Sequence, residues 1–320
     1  MAPLSSPPDG SRRATGHLIS PSQSSVRRLL RACPPTRVLL GDFRFNLPRT
    51  RSSPPQKMKA AQILKAKING PGVTTGVIIT YHLWPGLMEL LIRSGIDYAI
   101  IDLEHLTHNA EMVADCCAIA RRADFPVLIR PPETEFTPMR LALDLGPCGL
   151  LLPYVSSVAT MDMIQQAVYM APRGRRRPGG HGNFWVSGYH YENFQSEVEA
   201  DLIILPQIEN QAGLACAAAL AAHPLTTALA IGPYDLSASL GCCWQPDAPV
   251  LLRALDTIRQ AGEAVGKKTW IIGNPDTLVP RGFSFMGLAE PTMLIEGALR
   301  DLNQRVKKIP PISTVAPLLP

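Results

Sequence analysis

From about residue 72 onward, short apolar runs alternate with longer stretches whose apolar positions recur every three to four residues. The runs fall at 75–79, 98–102, 127–130, 149–153, 203–207, 228–231, 268–272 and 285–288. Most are apolar along their length instead of alternating with polar residues, the pattern of strands covered by helices on both faces. Between them, 86–94, 110–122, 137–145, 159–170, 212–222 and 250–265 carry helical periodicity. Strand–helix alternation implies parallel pairing through crossover connections. Eight strands in roughly 220 residues fit a single α/β domain, a (β/α)8 TIM barrel, better than an open doubly wound sheet. No Gly-x-Gly-x-x-Gly or Walker loop follows any run, which argues against a nucleotide-binding fold. The segment 173–200 is the one irregular insertion, Arg/Gly-rich and then aromatic.

Several runs end in ionisable residues. The second delivers Asp102, Glu104 and His105, the third Arg130, the fifth Gln207 and Glu209, and the sixth, through Gly232-Pro233-Tyr234, Asp235. In a TIM barrel the C-terminal strand ends converge on one mouth, so these tips point to a reaction site assembled from several strands. Neighbouring strands five and six put Glu209 and Asp235 side by side. Two carboxylates with no histidine or thiolate beside them suit a hard divalent ion such as Mg²⁺ or Mn²⁺, with water and substrate oxygens completing its shell. Taken alone, Asp235 could instead cap the helix that starts beside it. Arg130 ends an apolar run, where an unpaired guanidinium is costly. Its partner is either Asp102 or Glu104, or a substrate carboxylate or developing oxyanion. Histidine as a residue type exchanges protons near working pH, so His105 suits a proton carrier, the alternative being a surface loop histidine. A metal, an arginine and a histidine base fit enolate chemistry on a 2-oxo acid, with carbon–carbon bond cleavage or formation beside the ketone.

Composition changes the picture at the N-terminus. The chain has 320 residues, 46% of them hydrophobic, enough for a large core. No apolar stretch reaches the ~20 uninterrupted residues of a membrane span. The net charge of +5 is uneven: residues 1–57 hold ten basic and two acidic side chains, and the remainder is net acidic. That Pro/Ser/Arg-rich leader reads as a disordered extension, a mitochondrial-type transit segment, or translation from a start upstream of Met58. The barrel is expected over 58–308 and a tail over 309–320. With no basic face evident in the barrel, nucleic-acid binding is disfavoured. The seven cysteines include no Cys-x-x-Cys pair, which suits free thiols in a reducing compartment. The expected location is cytoplasmic, or mitochondrial if the leader is a transit peptide.

Five segments resemble the HpcH/HpaI aldolase family, the metal-dependent 4-hydroxy-2-oxo acid aldolases of the phosphoenolpyruvate/pyruvate barrel superfamily. They are Ile101-Asp102-Leu103-Glu104-His105, Leu128-Ile129-Arg130-Pro131, Leu151-Leu152-Pro153-Tyr154-Val155, Gln207-Ile208-Glu209 and Gly232-Pro233-Tyr234-Asp235-Leu236-Ser237, in family order. The resemblance covers about residues 60–308. It implies reversible aldol cleavage of a 4-hydroxy-2-oxo acid to pyruvate and an aldehyde. By it, Glu209 and Asp235 ligate the divalent metal (Mg²⁺, Mn²⁺ or Co²⁺), and Arg130 stabilises the pyruvate enolate. His105, supported by Asp102, handles the proton on the substrate hydroxyl. Gln207, with Gly232, Pro233, Tyr234 and the amides of Tyr234 and Asp235, orients the pyruvate. Relatives imply a homo-oligomer, a hexamer whose neighbouring subunits complete the mouth. Leu103 stands where the family usually has Gly, the loop 174–182 carries an extra arginine run, and the connection between 270 and 285 is short. The aromatic insertion keeps open a second activity, oxaloacetate decarboxylation or macrophomate synthase-like trapping of an enolate in secondary metabolism.

Overall fold

Eight parallel strands close into a barrel in sequence order. They are β1 (Thr74–Ile79), β2 (Tyr98–Asp102), β3 (Val127–Arg130), β4 (Gly149–Leu152), β5 (Ile203–Ile208), β6 (Leu229–Ile231), β7 (Thr269–Ile272) and β8 (Phe285–Gly287). This computed structural model describes residues 58–177, 179–186 and 191–309. The leader 1–57 and the tail beyond Ile309 lie outside the described residues. The TIM barrel expected from the pattern is the fold observed. Each strand lies within a residue or so of its apolar run, because a strand covered on both faces must be apolar nearly throughout.

Inside the barrel, Tyr98 lies across the bare Cα of Gly76, its register partner on β1. A Cβ at Gly76 would sit 2.5 Å from the ring. The Tyr98 hydroxyl donates to the Met286 carbonyl (2.7 Å) and accepts from Trp270 Nε1 (2.6 Å). Phe285 packs edge-on to the same ring at 5.2 Å. Buried aromatics with satisfied polar tips fill this part of the lumen.

The helix Lys59–Asn69 buries Met58, Ala60, Ala61, Leu64 and Ile68. Its polar face reaches segments that precede strands: Gln62 donates to Asp201 (2.8 Å) and Lys65 to the Ala200 carbonyl (3.1 Å), both before β5. Lys59 pairs with Asp124 before β3, and Lys67 with Asp97 before β2. These contacts put the helix against the N-terminal ends of the strands and leave the C-terminal mouth for chemistry.

The other elements follow the expected pattern with local departures. The stretch 159–170 is helical only over Val158–Val168, and 212–222 divides at Cys216 into Gln211–Ala215 and Ala217–Ala222. The short seventh-to-eighth connection forms only the turn of helix Pro275–Leu278 and a 3₁₀ turn, Val279–Arg281. The insertion contains a 3₁₀ segment, Gly180–Trp185, anchored by Trp185 Nε1 donating to the Gly146 and Pro147 carbonyls (both 3.1 Å). After β8 comes a 17-residue helix, Pro291–Lys307, in which only Pro291 is buried. Among the described residues no helix is long and apolar enough to cross a membrane.

Candidate active site

The register of β2 and β3 sets Asp102 directly opposite Arg130. The pairing that follows is bidentate, Nε to Oδ1 at 2.8 Å and Nη2 to Oδ2 at 2.7 Å. A third guanidinium nitrogen, Nη1, lies 2.9 Å from Glu104 Oε2. Asp102 also accepts from Thr80 Oγ1 (2.9 Å) and from the Glu104 amide (3.0 Å). Asp102 and Arg130 are both buried. Burial raises the Asp102 pKa, but the Arg130 guanidinium and the other donors outweigh it and hold the carboxyl below its ordinary range. Burial likewise pulls Arg130 down, and its hydrogen bonds and attraction to Asp102, with Glu104 and Glu209 nearby, more than compensate. Of the partners weighed for Arg130 from the sequence, both protein carboxylates are used. Its Nε and one Nη2 hydrogen are bonded to Asp102, while the Nη1 contact with Glu104 is an ion pair without hydrogen-bond geometry, so the other terminal N–H groups remain available.

On the far side of the mouth, β5 delivers Gln207 and, one residue past its end, Glu209. Glu209 is buried, and its Oε1 accepts from the Tyr154 amide at 2.9 Å. A Cβ at Gly232 would come within 2.5 Å of Glu209 Oε2 and 2.7 Å of Gln207 Nε2, so any side chain there would displace the ends of these two groups. Asp235 stands in the first turn of the helix Pro233–Ser239, whose cap residue is Gly232, so Asp235 is not the cap. Its Oδ1 is 3.5 Å from the Tyr154 hydroxyl, which donates to it. Gln207 is buried, and its Oε1 has no hydrogen-bond partner among the described residues.

Burial, chiefly, pushes the Glu209 carboxyl up to about 8, with the Glu104 and Asp235 carboxylates adding to it. The Tyr154 amide and Arg130 offset only part of this. Burial also raises Glu104, against the pull of Arg130 and His105, while Asp102 and Asp235 add to the rise. Among the described residues no three His, Cys, Asp or Glu side chains converge as a ready metal cage. A hard divalent cation that takes two carboxylates, with water and substrate oxygens elsewhere, nevertheless fits this donor set. The buried Glu209, held near a second carboxylate and an orphaned amide oxygen, is a carboxyl whose ionisation burial opposes and such a cation would favour.

His105 sits on the loop after β2 and is exposed. The Asp102 oxygens go to Arg130, Thr80 and the Glu104 amide, with no hydrogen bond to His105 among the described residues. Two contributors escaped the sequence analysis. Thr80 is the first polar residue after the β1 run, the same strand-end signal that marked the other tips. Tyr154 lay inside a matched segment but carried no role there. Beside the mouth, between the loops after β3 and β4, a cavity of about 420 Å³ is walled in part by Glu104, Glu133, Glu135 and Tyr154.

Residues 84–280 match the HpcH/HpaI aldolase/citrate lyase family. A hydroxypyruvate/pyruvate aldolase of Pseudomonas aeruginosa is 32% identical over 242 residues, covering 70% of this chain and 87% of that protein. A 2-keto-3-deoxy-L-rhamnonate aldolase of Salmonella typhi is 28% identical over 233 residues, covering 71% and 87%. Among solved structures, the HpcH/HpaI aldolase of Desulfitobacterium hafniense DCB-2 superposes with a TM-score of 0.69 at 22% identity, covering 78% of this chain and 98% of that one. Macrophomate synthase superposes with a TM-score of 0.64 at 20% identity, covering 78% and 90%. At these identities the structural likenesses establish the barrel alone. The family match over more than half of the chain, together with the Pseudomonas relative, establishes more: this chain belongs to the HpcH/HpaI aldolase/citrate lyase family.

Proposed function

We propose that the chain is a divalent-metal-dependent carbon–carbon lyase that reversibly cleaves a 4-hydroxy-2-oxo acid into pyruvate and an aldehyde. The observation that carries this is the convergence of Glu209 and Asp235 on Tyr154 in the same mouth as the buried Arg130. The aldolase names of the curated relatives support it. Held by Glu209 and Asp235, a divalent ion (Mg²⁺, Mn²⁺ or Co²⁺) would polarise the carboxylate and ketone oxygens of the 2-oxo acid.

The chain's own residues do the remainder. Arg130, held by its bidentate bond to Asp102 and its ion pair with Glu104, turns its remaining N–H groups toward the oxygen on which enolate charge develops, at no cost in reorganisation. Gln207, whose amide N–H₂ can donate to a pyruvate oxygen, and the segment Gly232-Pro233-Tyr234 seat the pyruvate unit. His105, on its exposed loop, takes the proton from the substrate hydroxyl as the bond between C3 and C4 breaks. The electron pair of that bond moves toward the C2 oxygen beside Arg130, and a proton from solvent at C3 then gives pyruvate, the proton taken by His105 passing to solvent. The aldehyde leaves through the cavity next to Glu104 and Tyr154.

Of the insertion's aromatic residues, Trp185 and Phe194 are buried in packing and Phe184 is exposed. The buried free thiols Cys116, Cys117 and Cys148 suit a reducing, cytoplasmic setting. A homo-oligomer, a hexamer by the family resemblance, is supported by the C-terminal helix. Its residues Ile295, Leu299, Leu302 and Val306 recur at helical spacing and are 46%, 62%, 49% and 57% exposed.

The test is a panel of 2-oxo acids and aldehydes assayed with and without EDTA. Cleavage and pyruvate α-proton exchange should vanish with the chelator and return with Mg²⁺, Mn²⁺ or Co²⁺. Glu209→Gln should abolish both while leaving the circular dichroism of the barrel unchanged. Full activity in EDTA, or a borohydride-trapped lysine adduct, would sink the proposal.

A further inference from the structure

Tyr154 is a bulky aromatic residue in the left-handed region, at φ 55°. Large side chains rarely adopt this conformation, and where the surrounding structure enforces it the site is commonly functional. The enforcement is visible on both sides. The Pro153 carbonyl accepts from Thr134 Oγ1 at 2.5 Å. The Val155 amide donates to the Gln207 carbonyl at 3.0 Å, and its side chain is fully buried. Between these two anchors, the backbone of Tyr154 turns its amide toward Glu209 Oε1 (2.9 Å). Its phenol, half exposed at the mouth, spans to Asp235 Oδ1 (3.5 Å). One residue from the end of β4 thus grips a carboxylate from the end of β5 and another from beyond β6. The amide occupies Oε1 of Glu209, leaving Oε2 facing the bare Cα of Gly232.

We propose that Tyr154 is a positioning residue that holds Glu209 and Asp235 at the separation a divalent cation needs, its left-handed backbone being retained for that purpose. The inference rests on the metal-dependent reading above. Without such contacts two acid side chains on separate strand ends are free to take other rotamers before an ion arrives. An N–H on one and an O–H on the other set their directions before the ion arrives, as outer hydrogen bonds do around other metal sites.

The experiment measures Mn²⁺ affinity by titration calorimetry and the Tm of the metal-free protein, on the full chain and two variants. Tyr154→Phe removes only the hydroxyl. It should weaken Mn²⁺ binding several-fold and leave the Tm unchanged. Tyr154→Gly keeps the amide but frees the backbone and deletes the phenol. It should raise the Tm, since glycine adopts the left-handed conformation without penalty, yet weaken Mn²⁺ binding about tenfold or more. Gain in stability with loss of affinity is the signature that simple packing would not produce. Unchanged Mn²⁺ affinity in both variants overturns the role of Tyr154 while leaving the lyase proposal standing. So does a Tyr154→Gly variant that loses Tm and affinity together. Failure of the unsubstituted chain to bind Mn²⁺ overturns both.

Discussion

Arg130 and His105 stand on opposite sides of the distinction between what a sequence can and cannot say of a single residue. The chemistry of Arg130 was legible: a guanidinium closing an apolar run must have anionic partners, and it has two, Asp102 and Glu104. The choice among those partners was not, because it depends on the β2–β3 register. His105 was legible only by type. Its exposure, and the absence of a hydrogen bond to Asp102 among the described residues, are set by a loop that periodicity does not constrain. Two variants separate their work. Arg130→Ala should remove every enolate-forming step, including oxaloacetate decarboxylation, and lysine should rescue it poorly for want of a planar fork. His105→Ala should slow aldol cleavage by roughly 10²- to 10⁴-fold, the range of a positioned acid–base group, and spare decarboxylation, which moves no hydroxyl proton. Equal losses of both reactions in His105→Ala would remove it from proton transfer. Glu209 offers a pH test. In the metal-free protein its carboxyl, pushed up to about 8 by burial, keeps a proton that the unfolded chain has lost. A raised folded-state pKa means stability is fullest below the ordinary carboxylate range and declines as pH climbs from there to about 8. The Tm of metal-free protein should therefore carry a downward contribution across that window, absent from Glu209→Gln. Superimposable Tm–pH profiles for the two would mean that Glu209 is already ionised.

At the scale of elements, the strands were the most legible part because burial on both faces leaves little freedom in their composition. Helix ends were less so, since tertiary contacts end them. At Val168 the following residue, Tyr169, is extended and its ring stacks under Arg173 at 3.8 Å. The residues of the lumen could not be told from those facing the helices, because both sets are apolar. Tyr98 is the sharpest case: the first residue of β2 reads as an ordinary strand aromatic, yet its ring occupies the space that Gly76 leaves. That pairing is testable by a double-mutant cycle read by chemical denaturation. Gly76→Ala should destabilise the barrel by about 1–3 kcal/mol, the usual cost of overpacking, or more, because the added methyl meets a ring wedged by two hydrogen bonds. In a Tyr98→Leu background, which removes the ring, the same change should cost much less. Additive costs would show that the glycine is there for another reason.

At the scale of the whole molecule, the acidic balance of the barrel and the mouth at one end were foreseeable, while the surface that covers the last helix was not. In a closed (β/α)8 barrel each crossover helix buries its apolar stripe against the strands. The helix after β8 leaves its own in solvent: Ile295, Leu299, Leu302 and Val306 are all exposed, with Met293 and Leu294 beside them. Sequence periodicity can reveal such a stripe but cannot say whose surface covers it. A contiguous apolar stripe of this kind marks an interaction site, and closed symmetric self-association is the commonest way soluble chains bury one. If a second copy covers it, the unsubstituted chain should sediment as an assembly at micromolar concentration. Leu299→Glu with Leu302→Glu should then shift it toward the single chain by forcing two carboxylates into the contact. The barrel core lies elsewhere, so far-ultraviolet circular dichroism should hardly change. If neighbouring subunits complete the mouth, as the family resemblance implies, the dissociated variant should also lose activity while retaining Mn²⁺ binding, which is proposed to depend on Glu209 and Asp235 of one chain. An unsubstituted chain that sediments as a monomer would end the argument. A dissociated variant with full activity would instead leave the assembly intact as a fact and remove its part in catalysis.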